Sequence, residues 1–200
     1  MSEGLLLVIS GPSGAGKGTL CRALCQRCPQ ISLSVSATTR PPRSGEVHGR
    51  EYFFLSRDDF EERVKAGGFL EWATYLGNYY GTPREPVQKM LAQGRDVVLE
   101  IDVQGGLQVR KSYPSAVLIF ILPPDWQTLK QRLLGRGTED ELAVEERLGV
   151  ALGELDVITQ YDYLVINDNL STAVDTVACI ITAEKCRTVR NKLPADWKNP

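Results

Sequence analysis

Two hundred residues carry 42% hydrophobic and 24% charged side chains with a net charge of −2, the proportions of one ordinary globular domain. So even a charge balance gives no global pull toward nucleic acid or an anionic membrane, and no apolar run approaches the roughly 20 residues that span a bilayer. Five cysteines, an odd number, suit reduced thiols in a cytoplasmic protein better than a disulfide framework, and the lack of a basic segment before the first apolar run points away from a signal peptide.

In chain order, the apolar run at residues 5–10 predicts a buried strand. It enters "GPSGAGKGT", residues 11–19: Gly11, Pro12, Ser13, Gly14, Ala15, Gly16, Lys17, Gly18 and Thr19. Glycines let backbone N–H groups turn inward around phosphate oxygens, and Lys17 adds a point charge on the outer phosphates. Leu20 and Leu24 then repeat at helical spacing up to Pro29. Strand, glycine loop and helix together put a helix N-terminus under an anion. The dinucleotide fingerprint fails, since Thr19 stands where it needs Gly or Ala. Gly18 removes the hydroxyl that usually meets magnesium in such loops, so a metal would rest on phosphates, water and an acid elsewhere. Cys21, Cys25 and Cys28 fall at i, i+4 and i+7 of the helix, a packed stripe rather than a loop that could wrap an iron–sulfur cluster. A single histidine, His48, leaves few zinc sites.

Residues 32–80 are short, alternating and aromatic-rich, as in a small antiparallel sheet with one helix near 57–65. Ser36, Arg40, Arg43 and Tyr52 share one segment there, and prolines between the two arginines stiffen it for a dianionic phosphate. Glu71, Tyr80 and Thr82 follow. Further on, buried strands at 96–102, 116–122 and 163–167 alternate with helical patterns at 84–93, 125–134, 139–157 and 171–190, which predicts a parallel sheet covered on both faces. Glu100 and Asp102, two apart at a strand end, share a face where such sheets bind ligands. Arg132 and Arg136 are one helical turn apart. With Arg147 they make an arginine-bearing segment suited to closing over a transferring phosphoryl group.

The ordered set "GPSGAGKGT", "SVSATTRPPRSGEVHGREYFF", "FLEWA", "GNYYGT", "IDVQG", "GRGTE" and "VIND" resembles the guanylate kinase family over nearly the whole chain. "GKGT" itself also occurs in adenylate kinases, whose acceptor is likewise a nucleoside monophosphate. The resemblance implies an α/β P-loop nucleoside monophosphate kinase fold. Its parallel five-stranded core (about 1–31, 84–134 and 158–190) would carry a small mixed GMP-binding insertion (about 32–83) and a helical lid (about 135–157). It implies transfer from ATP, carried with Mg2+, to GMP and dGMP in the cytoplasm. Neither nucleic acid nor membrane is an expected partner, and a homo-oligomer is left open. By the same resemblance, residues 11–19 with Arg132, Asn167 and Asp168 bind ATP. Ser36, Arg40, Arg43, Tyr52 and Tyr80 hold the GMP phosphate. Glu71 and Thr82 read guanine beside Asp102, which also carries the metal directly or through water. Lys17, Arg43, Arg136 and Arg147 serve catalysis. Two other readings are a silent module binding phosphorylated partners, which the intact loop argues against, and a kinase for another acceptor, which Glu71 and Thr82 argue against. Gly18, in place of the commoner Ser, and Glu100, in place of Asp, depart from the family pattern.

Overall fold

The structure, a computed structural model, describes residues 3–135 and 141–191. Five parallel strands form the core sheet: β1 (Leu6–Ser10), β2 (Ile31–Leu33), β7 (Asp96–Glu100), β8 (Val117–Leu122) and β9 (Tyr163–Ile166), in the order β2-β7-β1-β8-β9. Between β2 and β7 a second sheet is inserted, made of β3 (Ser36–Thr38), β4 (Tyr52–Phe54), β5 (Phe69–Tyr75) and β6 (Asn78–Pro83) in the order β4-β3-β6-β5. Helices α1 (Lys17–Arg27), α2 (Arg57–Lys65), α3 (Arg84–Ala92), α4 (Val103–Ser112), α5 (Trp126–Leu134), α6 (Glu141–Leu155) and α7 (Leu170–Lys185) complete the described chain.

Strand β1 shows why its apolar run is continuous. Leu7 and Ile9 enter the core under α1 and α7, while Leu6 and Val8 enter the core on the face carrying α3 and α4. A strand buried on both faces needs no polar alternation. Burial of Cys21 raises its thiol pKa, and Cys25 and Cys28 pack partly buried against the same core.

Two readings of the inserted region need correction. Residues 31–33 pair with β7 in the core sheet, so the first strand after α1 belongs to the core. The small sheet is mixed, as the resemblance implies, and not the antiparallel sheet that the alternation alone suggests, because β3 runs parallel to β4 and antiparallel to β6. Its own core stacks Phe60 of α2 on Phe69, with ring centroids 4.3 Å apart.

Helix α4, which sequence patterning does not predict, joins the two sheets. Its Gln108 accepts a hydrogen bond from Trp72 N–H and donates one to Trp72 C=O, both at 3.1 Å. Asp102 caps the helix by accepting from Gly105 N–H at 2.7 Å. The C-terminal helix is tied in by Lys185, which reaches the fully buried Asp96 at 2.6 Å.

Candidate active site

The loop between β1 and α1 walls a cavity of about 530 Å³, which also meets Arg22, Glu100, Ile101, Asp102 and Glu154. Gly16 adopts a left-handed φ of 87° as it enters α1, a conformation that glycine tolerates and side chains resist. A Cβ there would also press on Asn167 Nδ2. Asn167 is buried and donates to Ala15 C=O at 2.8 Å, while Arg132 donates to Asn167 C=O at 3.0 Å. The predicted residues 132 and 167 thus brace the loop from behind. Asp168 is exposed beside them.

Lys17 Nζ donates to Gly11 and Pro12 C=O, curling its cation into the loop. Arg147 on α6 donates to Ser13 Oγ at 2.8 Å, bringing a second cation to the loop. Thr19 Oγ1 is 3.5 Å from Arg22 Nη2. Arg136 lies outside the described residues. Glu154, near the end of α6, keeps one carboxylate oxygen buried without a hydrogen-bond partner, and burial raises its pKa.

Glu71, on β5, meets the first turn of α4, where a Cβ on Gly105 would lie 3.0 Å from its Oε2 and 3.3 Å from Asp102 Oδ1. It is 7% exposed and accepts from Thr82 Oγ1 at 2.6 Å. Burial pushes its carboxyl up to about 7, and Asp102 adds to the rise, against the lowering hydrogen bonds from Thr82. Asp102 lines the cavity under the loop, so it stands between that cavity and Glu71.

The small sheet positions an arginine. Arg40 makes a two-pronged pair with Glu46, with both N–O distances 2.9 Å. Its guanidinium lies 5.5 Å from the Tyr52 ring centre and 5.8 Å from that of Phe54. Tyr52 meets Tyr80 edge to face at 6.2 Å. Ser36 is in register with Tyr52 across β3 and β4. Arg43 is exposed; its backbone N–H donates to the Glu46 carboxylate at 2.7 Å and its C=O accepts from Glu46 N–H at 3.1 Å.

The structure therefore sets residues 11, 13, 14, 16–19 and 102 on the wall of one cavity, residues 132, 147 and 167 against the loop that forms that wall, residues 36, 40, 52 and 80 together at the small sheet, and residues 71 and 82 of that sheet beside Asp102. Sequence reasoning missed Arg22, Glu46 and Glu154. Glu46 carried a weak signal, lying six residues after Arg40 beyond a Pro-Pro turn. Glu154 carried none, being one acid among many on a helix.

A family model described as "Guanylate kinase" matches residues 3–184. A guanylate kinase of Caldanaerobacter subterraneus subsp. tengcongensis is 52% identical over 95% of this chain and 92% of its own length. One from Symbiobacterium thermophilum is 53% identical over 94% and 90%. A crystal structure of guanylate kinase from Anaplasma phagocytophilum superposes with a TM-score of 0.74 at 32% identity, covering 94% of this chain and 90% of that one.

Proposed function

Because the chain belongs to the guanylate kinase family, we propose that its loop cavity holds ATP, that the pocket at Glu71 holds GMP, and that Asp102 stands between them. The reaction is ATP + GMP giving ADP + GDP, a direct transfer that needs alignment and charge cancellation rather than a covalent intermediate. The observation that carries the assignment of the two pockets is the buried Glu71–Thr82 pair, one helix end away from the phosphate loop.

Backbone N–H groups of residues 11–19 and the α1 N-terminus cradle the ATP phosphates, with Lys17 over them. Asn167 and Arg132 hold the loop's shape, and Asp168 beside them meets the adenine. On the acceptor side, Arg40, already oriented by Glu46, grips the GMP phosphate together with Arg43, Ser36, Tyr52 and Tyr80. Guanine presents N1–H and its 2-amino group to the Glu71 carboxylate, while the Thr82 hydroxyl fixes that carboxylate's position. Arg147, and Arg136 by the resemblance, neutralise charge as it spreads over the transferring group. Closure of α6 keeps water from taking the phosphoryl group instead.

Magnesium carried with ATP would neutralise the β- and γ-phosphates. The donors present fit it, since Glu100 and Asp102 offer hard carboxylate oxygens on the cavity wall. Among the described residues no helix is long and apolar enough to cross a membrane, and the reading places the enzyme in the cytoplasm.

A coupled ADP-release assay with GMP, dGMP, AMP, IMP, UMP and CMP tests this reading. GMP and dGMP should exceed AMP in kcat/KM by about 10⁴-fold, as hydrogen-bonding sites reject mismatched analogues. Comparable turnover of AMP would overturn the base assignment. Lys17→Ala should cut turnover by orders of magnitude with GMP affinity nearly unchanged. Equal loss of GMP affinity would misplace Lys17.

A further inference from the structure

The two departures noted in the sequence, Gly18 and Glu100, meet in space. A Cβ placed on Gly18 would lie 3.0 Å from Glu100 Oε1 and 3.4 Å from its Oε2. Both carboxylate oxygens thus occupy the space where a side chain at position 18 would begin. Glu100 ends β7, in register with Ile9 just before the loop, and its side chain lines the cavity. Among the described residues its carboxylate makes no hydrogen bond or ion pair. Arg22 Nη1 would be 3.5 Å from the same Cβ, so one cation flanks the carboxylate without pairing with it. Asp102 differs, because its Oδ1 is taken up by the α4 cap.

We infer that Glu100 supplies, above Gly18, the metal-facing oxygen that a loop hydroxyl would otherwise supply, so that residues 18 and 100 act as one unit. The inference rests on the kinase reading above and deepens it. An Asp at 100 would be one C–C bond shorter, roughly 1.5 Å, and would withdraw from position 18. A Ser at 18 would then have both the space and the hydroxyl. With Glu100 in place, Ser at 18 must displace the carboxylate it was meant to replace.

The exchange is not neutral in charge. A hydroxyl is uncharged, whereas the carboxylate repels bare phosphates and attracts a divalent cation. Nucleotide and metal therefore become more strongly linked, each raising the affinity for the other by the same factor. That factor is the ratio of ADP dissociation constants without and with magnesium.

The test measures it by calorimetry with ADP, and by Mn2+ binding to the protein–ADP complex followed by electron paramagnetic resonance. Glu100→Gln should tighten metal-free ADP binding and weaken metal-loaded binding, shrinking the factor about 10- to 100-fold, within the usual range of coupling between sites. Glu100→Asp alone should lose Mn2+ affinity, and Gly18→Ser added to it should restore most of the loss. A parallel rise of both ADP dissociation constants in Glu100→Gln would mark a structural role and overturn the inference. So would a factor that collapses in Asp102→Ala but not in Glu100→Gln. GMP phosphorylation by the wild type is measured beside these. If it proceeds while the linkage is unmoved by Glu100→Gln, only this inference fails. If ADP binds and GMP is never phosphorylated, the kinase reading fails.

Discussion

Glu71 sets a tension between folding and recognition at a single residue. Its carboxyl titrates near 7 because burial disfavours the ionised form. The native pKa lies above the unfolded value, so stability is full below the unfolded pKa and falls as pH rises toward 7, by roughly 3 kcal/mol in all. Glu71→Gln should therefore gain stability over the wild type from pH 5 to pH 7 and hold a constant gain above that, as denaturant melts at several pH values would show. A pH-independent difference would contradict the burial argument. Guanine's two donors favour the ionised carboxylate, so GMP binding at pH 6.5 should release most of a proton from Glu71. Calorimetry in two buffers of different ionisation enthalpy reads this, and subtracting the same measurement on Glu71→Gln removes the titration of the GMP phosphate itself. Equal proton release in both proteins would show that Glu71 stays outside the base contact. The residue was legible in the sequence only through resemblance. Nothing in its spacing shows that Thr82, eleven positions on, would close over it. That contact comes from the antiparallel register of β5 and β6, in which the two residues face each other.

Among the elements, α4 shows where patterning fails. Its start, "VQGGLQ", has two glycines that lower helix propensity by about 1 kcal/mol each. Tertiary contacts explain them. A Cβ on Gly105 would lie 3.0 Å from Glu71 Oε2, and one on Gly106 would run into Tyr161 Oη, with Ser10 Oγ at 3.0 Å. The helix gives up local preference so that its first turn can lie between the two pockets. Gly106→Ala should destabilise by about 1–3 kcal/mol through overpacking, and Tyr161→Phe should recover part of it. An unchanged denaturation midpoint in Gly106→Ala would show the turn to be looser than described. The cap is separable from charge. Asp102→Asn keeps a capping oxygen and should melt like the wild type, while Asp102→Ala should lose about 1 kcal/mol. By contrast, β1, β7, β8 and α2 could be read directly, since long apolar runs and the 57–65 helical pattern carry their own signals.

At the scale of the whole molecule, the sheet order could not be read from periodicity, which places strands without ordering them. The alternation of strands and helices did give the parallel core. It could not show that β2 crosses back to the sheet edge beside β7. Closure of the core depends on a contact between distant ends of the chain. Asp96 takes Leu5 N–H on one oxygen at 2.9 Å and Lys185 on the other. Glu184, one residue earlier, is buried with Tyr163 Oη at 2.7 Å and Arg190 at 3.1 Å. Removing one partner leaves a buried charge alone, which costs more than the pair contributes. Lys185→Met should therefore destabilise by on the order of 3 kcal/mol, whereas Asp96→Asn with Lys185→Met should be milder. Chemical denaturation of the three proteins decides it. If the double variant is no more stable than Lys185→Met, the loss is one of packing and not of stranded charge.

The paired hydrogen bonds from Gln108 to Trp72 have a consequence beyond the single chain. Strand β5 ends the small sheet, and an open strand edge invites pairing with another copy. The glutamine amide imitates the next strand, filling both backbone groups of Trp72 where that copy would begin to register. A side chain of α4 thus guards solubility. Gln108→Ala should turn over GMP normally when fresh yet scatter light progressively in concentrated storage, and a clear solution after days at high concentration would show that the edge needs no such guard.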